Sequence, residues 1–479
     1  MKSKRPPKQI AVEIPTAIDK ARPSAKAQVS AVAHVASSPT HAEPDRTAQP
    51  RLSVPQRQLL LSAMTIDQLI EADHPVRAVW TYVEKLDLTP LYDRIRSRGC
   101  VAGRPAIDPR LLVALWLYAT LAGFNSAREL DDLCRHHDAF RWLAGGVSVN
   151  YHTLADFRTD NPAFLEQLLK YSVDLLRQQG LIDLDRVAQD GIRVRASAGA
   201  ASFHRRDTLE RLLKEAQAEV QRLHRKLGST PDDPLAKQEI ATETSGSELE
   251  PSRQQQAAAM CQAEQRLERV EQALERMPEL EAKIKPGEEK EPRVSTTDAE
   301  ATVMKMPDGG YRPAYNVEYS TTCNGQVVVG VDVVTVGSDQ GQLPPMLDQI
   351  ETRFEECPKE ALVDGGFAKL EDIEQVQRVK KCQVYAPVSK PKKDTVDRYE
   401  AKATDSEEVA RWRKRMGTEE AKTIYKQRAA TAECVNAQAH NRGLRQLLVR
   451  GLEKVKAIAM WFASAHNVAR SFALQPHPA

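Results

Sequence analysis

The chain has 479 residues, 41% of them hydrophobic, with 68 Lys and Arg against 66 Asp and Glu, for a formal net charge of +2. That length and apolar content suffice for a sizeable core and more than one domain, and the near-balance of charge excludes a uniformly basic polyanion binder, so any basic surface must be local. The seven cysteines form no CxxC pair and are odd in number, which fits reduced thiols in a cytoplasmic protein rather than a disulfide framework. The longest apolar run, Leu111 to Phe124, is shorter than the roughly 20 residues a membrane helix requires, and the opening MKSKRPPKQIAVEIP lacks a signal-peptide core.

In chain order, residues 1–50 are rich in Ala, Pro, Ser and Lys without periodic apolar spacing, which predicts a disordered arm. Residues 51–180 turn helical, with apolar spacing at Val76, Val79, Val83 and Leu86 and again from Leu111 to Leu121, and with breaks at Gly123, Gly145-Gly146 and Asn161-Pro162. Short helices joined by tight turns predict a helical N-terminal domain that is either a DNA reader or a purely structural bundle. At Asp185 the period changes to two, and Ile192 and Val194 alternate with Arg193 and Arg195 as in a strand. Residues 204–290 carry two apolar series, Leu209 to Leu227 and Met260 to Met277, which predict an inserted antiparallel helical hairpin with a polar tip, or else a coiled coil that binds a partner. Strand signals resume at 302–336 with turns at Asp308-Gly309 and Asn324-Gly325, which predicts a three-stranded meander. A helix over Leu343 to Phe354, a strand from Ala361 to Val363, another from Gln383 to Val388 and charged helices complete the order. From Arg411 onward, 13 Lys and Arg face four Glu, a local difference of +9 suited to holding a polyanion or to coating solvated helix faces.

Three carboxylates stand out. Asp190 in RVAQDGIRVRA and Asp364 in ALVDGGF are expected where short apolar strands end, and Glu433 in YKQRAATAECVNAQAH is expected on a helix. Each Asp-Gly pair taken alone reads as a turn former. Two strand acids and one helix acid together can converge on hard cations that prefer oxygen ligands, an arrangement suited to phosphodiester chemistry. Asp332 and Asp339 rank behind Asp364 as alternative ligands. Asp156 and Arg158 are expected to cap and tie helices, Trp116 and Trp142 to be core, and His136 and His137 lack the partners of a zinc site.

The order of elements is that of an α/β protein with an RNase H-like mixed sheet. With QDGIRVRASAG, MPDGGYRPAYNVE, LVDGGF and YKQRAATAECVNAQAHNRGLRQLLVRG in sequence, and GRPAIDPRLLVALWLYATLAGFNSARELDDLCRHH and YHTLADFR before them, the chain resembles bacterial insertion-sequence transposases of the DDE class, in the branch with a Tyr-Arg-Glu-Lys signature. The resemblance spans about residues 52–472. It implies a catalytic core over 181–203 and 291–449, interrupted by the hairpin over 204–290, with residues 450–479 forming a C-terminal helix and tail. It also implies binding to double-stranded DNA at transposon ends and target, metal-dependent cleavage and strand transfer, two Mg2+ or Mn2+ ions held by Asp190, Asp364 and Glu433, and a homodimer on paired ends near the nucleoid. A DNA-binding assembly protein with a decayed core, or a nuclease that cuts without joining, share many of these features; intact acids on all three elements argue against decay.

Tyr425 and Arg428 match the signature's DNA-contacting pair, and Arg442 and Arg445 extend the basic flank. Two departures follow. Four residues separate Arg428 from Glu433 where the pattern has three, so a regular helix would turn Arg428 about 140° away. His440 stands where the signature has Lys, and without a guaranteed charge.

Overall fold

The computed structural model describes residues 65–97, 105–228, 253–282, 291–390 and 397–475; the arm expected over 1–50 and the expected hairpin tip lie outside them. The helical series runs α1 (Pro75–Glu84), α2 (Thr89–Asp93), α3 (Pro109–Ala122), α4 (Ala127–His136), α5 (Asp138–Ala144), α6 (Tyr151–Thr159) and α7 (Pro162–Gln178). Local chemistry sets these boundaries. Asp108 caps α3 by accepting from the Arg110 amide, with Pro109 at the first position, and Gly123 ends it at φ +87°. Because Leu111 to Leu117 are buried without interruption, α3 reads as a continuous apolar run rather than a stripe. Arg158 ties this region together: its guanidinium lies 4.4 Å from the Trp116 ring and donates to the Asn125 carbonyl. Trp116 is core as expected, whereas Trp142 is only half-buried and donates to Asp67.

The sheet is built from β1 (Arg186–Arg195), β4 (Thr302–Lys305), β5 (Tyr311–Thr322), β6 (Val328–Val334), β7 (Glu360–Leu362) and β8 (Gln383–Tyr385), while the two-residue strands β2 (Phe203–His204) and β3 (Val294–Ser295) pair separately. β1 runs antiparallel to β5 and parallel to β7, which is parallel to β8. The expected meander does not form. β4 and β6 both pair with one edge of β5, at Tyr311–Ala314 and Asn316–Thr321, and β1 takes the other edge from Ala314 to Thr322. The two turns were legible, but a twelve-residue strand has room for two short partners end to end, and the pairing with β1 is more than a hundred residues distant in sequence.

The long helices α8 (Arg206–Gly228) and α9 (Arg253–Ala282) leave and rejoin the sheet region between β2 and β3. Leu209 packs against Ala273 and Met277, and Arg206 forms a two-pronged pair with Glu281 at 2.7 and 2.8 Å. α10 (Leu343–Phe354) covers one face of the sheet. The final helix, α15 (Leu452–Leu474), is buried from Ala457 to Val468 and packs against α3, α7 and β6. Its Asn467 exchanges two hydrogen bonds with the Val328 backbone, and Trp461 donates to the Arg158 carbonyl, so one residue series binds the helical region to the sheet. No described helix is long and apolar enough to cross a membrane.

Candidate active site

Strand register explains how two distant aspartates meet. Arg186, Val187 and Ala188 of β1 pair with Glu360, Ala361 and Leu362 of β7. Continued two residues past the end of β7, that register carries Asp364 towards Asp190, whose carboxyl feels its charge. Asp190 is not at a strand end, as expected, but fifth in a ten-residue strand. Gly191 is accordingly no turn glycine. A Cβ there would lie 2.7 Å from Glu318 Oε1 and 2.8 Å from Asn316 Oδ1, so a side chain is excluded by the polar pair folded over it. Asp364 does serve a turn as well: its Oδ1 accepts from the Gly366 amide at 2.7 Å and opens a short 3-10 turn over Gly365–Phe367.

Glu433 reaches the same neighbourhood through a local irregularity. The charged helices α11 (Leu370–Gln375), α12 (Glu407–Met416), α13 (Glu419–Arg428) and α14 (Cys434–Asn441) include a π turn, Ala429–Glu433, between the last two. The extra residue between Arg428 and Glu433 is absorbed there, since a π turn closes over five residues rather than four. Arg428 thus does not point away from Glu433. Its Nη2 donates to Glu433 Oε1 at 2.7 Å and its Nη1 lies 3.4 Å from Asp190 Oδ2. Burial disfavours the Arg428 charge, but Tyr425, Asp190 and Glu433 outweigh it and hold the guanidinium protonated.

Asp190 is mostly buried, and this burial pushes its carboxyl up to about 6, against the pull of Arg428 and with the neighbouring charges of Asp364 and Asp339 adding to the rise. Asp339, from the loop after β6, lies beside Asp364: a Cβ on Gly366 would be 2.9 Å from both Asp339 Oδ2 and Asp364 Oδ1. Asn316 donates to Asp339 Oδ1 and to Glu318 Oε1, each at 2.7 Å. Glu318 is wholly buried, and that burial, with the charge of Asp339, drives its carboxyl well above the usual range. The sequence held one signal for this pair, two polar residues alternating with Tyr315, Val317 and Tyr319 in β5.

The other residues expected at the site are dispersed. Tyr425 is half-buried, its ring 6.0 Å from the Arg428 guanidinium. Burial and the nearby Arg445 lower the proton affinity of His440, whose carbonyl accepts from Arg445 Nε at 3.1 Å. Arg442 is largely enclosed and shares a small cavity with His466, while its carbonyl accepts from Asn125. Asp332 faces Lys456 at 3.4 Å.

Two family profiles match the sequence, one described as Transposase domain (DUF772) over residues 64–160 and one as Transposase DDE domain over residues 368–472. Both matches support an insertion-sequence DDE transposase. No curated protein and no solved structure matches it. The DDE profile takes in Tyr425, Arg428 and Glu433, whereas Asp190 and Asp364 precede it. Transposases of this class act on DNA and depend on a divalent metal. Among the described residues no three His, Cys, Asp or Glu side chains are grouped to hold one; in this transposase a guanidinium stands between Asp190 and Glu433 instead. The donors themselves fit a hard cation. They are carboxylate oxygens only, a cationic group already occupies the space between two of them, and Gly366 leaves open the cradle between Asp364 and Asp339.

Proposed function

We propose that the chain is an active transposase that binds the ends of its element, cuts DNA and joins the freed 3'-hydroxyl to target DNA. The strand order β6-β5-β1-β7-β8, with β5 antiparallel to β1 and with β7 and β8 parallel to it, supports an RNase H-like core, interrupted by α8 and α9 as an inserted hairpin. In this reading Asp190, Asp364 and Glu433 are the triad and hold two Mg2+ or Mn2+ ions, which when bound activate the attacking oxygen and stabilise the leaving one. The chain's own groups do the positioning: β1 and β7 carry the two aspartates towards one another, and the π turn aims Glu433 at them. Arg428 and Tyr425 bind a phosphate beside the scissile bond, with His440, Arg442 and Arg445 further along the DNA. The helices over residues 105–160 read the element's ends, and two copies act on paired ends.

The observation that carries this reading is the juxtaposition of Asp190 with Asp364 across parallel strands, with Glu433 joined to Asp190 through one arginine. Full-length protein with Mn2+ and DNA containing the sequences that flank its coding region is expected to nick at the element ends and to transfer a pre-nicked end into a second duplex. Asp190→Asn and Glu433→Gln are expected to abolish both reactions. Equal activity in both variants removes the triad, and nicking without transfer makes the protein a nuclease.

A further inference from the structure

We infer that Asp339 is a fourth carboxylate of this site, facing the metal ions beside Asp364 and held there from behind by Asn316. The inference rests on the metal-dependent reading above and adds to it a ligand group that neither the triad nor the family match contains. Asp339 Oδ2 and Asp364 Oδ1, the latter also accepting from the Gly366 amide, each lie 2.9 Å from the point where a Cβ of Gly366 would stand, so they are within about 6 Å of one another. Oxygens around a hard cation sit about 2.0–2.6 Å from it, so this separation is one that a bound ion closes with a small side-chain rotation.

Asp339 is also placed as a ligand needs to be. Its outer oxygen is free of any Lys or Arg among the described residues, while its inner oxygen is fixed by the Asn316 amide at 2.7 Å. That amide is shared with Glu318, which Gln189 contacts from the far side at 3.4 Å, and both lie over Gly191 where any side chain would displace them. The loop carrying Asp339 is pinned at two further points, Arg193 Nη2 to the Gly337 carbonyl at 2.8 Å and the Gly341 amide to Asp372 Oδ2 at 2.8 Å. Supporting groups of this kind set the orientation of a metal ligand, and their loss lowers affinity.

The test is Mn2+ binding by the full-length protein without DNA, followed by electron paramagnetic resonance or calorimetry. Asp339→Asn keeps an oxygen for Asn316 and removes the charge; it is expected to weaken Mn2+ binding about 10- to 100-fold while leaving the melting temperature within the range of wild type. Asp190→Asn and Asp364→Asn serve as references. Wild-type affinity in Asp339→Asn, with both references weakened, overturns the inference and leaves the triad standing. Wild-type affinity in all three overturns the metal site itself. In case Asp339→Asn does not fold, Fe2+-directed backbone cleavage of the wild-type protein gives an independent reading: cuts near residue 339 as well as near 190 and 364 are expected, and cuts confined to the latter two overturn the assignment.

Discussion

Two arginines in neighbouring helices bind carboxylates in opposite ways. Arg413 on α12 forms a closed, two-pronged pair with Asp405, at 2.6 and 3.3 Å, with side chains only 7% and 2% exposed. Asp405 also accepts from the Lys402 amide at 2.9 Å, so the pair fastens the segment before α12. Arg428 divides its guanidinium between Asp190 at 3.4 Å and Glu433 at 2.7 Å, and Glu433 is 56% exposed. The first arrangement satisfies every group inside the protein. The second leaves the Glu433 carboxylate open to solvent. Identical side-chain chemistry is thus closed in one place and open in another, and the difference lies in burial and in how many partners each arginine has.

The comparison breaks most visibly at the closed pair. Asp405→Ala leaves the Arg413 charge buried without a partner and is expected to cost about 3–5 kcal/mol in denaturant unfolding. Burial pushes the Asp405 carboxyl up, but the Arg413 hydrogen bond and the Lys402 amide outweigh it and hold it below the usual range. A carboxyl depressed in the folded state adds stability above its unfolded pKa of about 4 and loses it as pH falls through the folded value. The gap between wild type and Asp405→Asn is therefore expected to narrow below about pH 4. A gap that persists unchanged into strong acid means that the pair is not what fastens this segment.

Gly191 tests the polar support behind the site. Gly191→Ala places a methyl within 2.7–2.8 Å of Glu318 and Asn316. Crowding of this kind costs about 1–3 kcal/mol. It is also expected to displace Asn316 and with it Asp339, so Mn2+ affinity should fall together with the melting temperature. A variant as stable and as tight as wild type would show that Glu318 and Asn316 move aside freely.

How much of this was legible in sequence depended on the distance over which the deciding contact acts. Caps and turns are local: Asp108-Pro109 and Gly123 bound α3, and Asp308-Gly309 turns the chain between β4 and β5, as their residue types required. The β1 partner of β5 is not local, so the residue pattern predicts a meander where β4 and β6 share one edge of β5 and β1 takes the other. Asp190 and Asp364 were legible because one lies in a strand and the other just past the end of one, whereas Asp339 ranks only as an alternative in sequence and sits in a loop that approaches Asn316 and Gly366 in space. The π turn had one signal, the extra residue between Arg428 and Glu433, which a regular helix cannot accommodate. Ala429-Ala430-Thr431-Ala432 taken alone suits a regular helix, and the deviation is spanned by the ion pair of Arg428 with Glu433.

The smallest expected effect on stability, and the one that sharpens the comparison most, is Arg428→Ala. At pH 5 it is expected to change unfolding free energy by no more than about 1 kcal/mol, since its contacts are long or solvent-exposed. The change should then grow as pH rises. Asp190, already pushed up to about 6 by burial, loses the charge that most opposes that rise. The folded variant holds a proton that the unfolded chain releases above about pH 4, so its stability declines with pH up to the folded value, and further than wild type does. In the same variant Mn2+ binding without DNA is expected to tighten, because the ion no longer competes with a guanidinium for Asp190 and Glu433. A loss of several kcal/mol, equal at pH 5 and pH 8 and without gain in Mn2+ affinity, would place Arg428 beside Arg413 as a structural clamp and erase the distinction between the two.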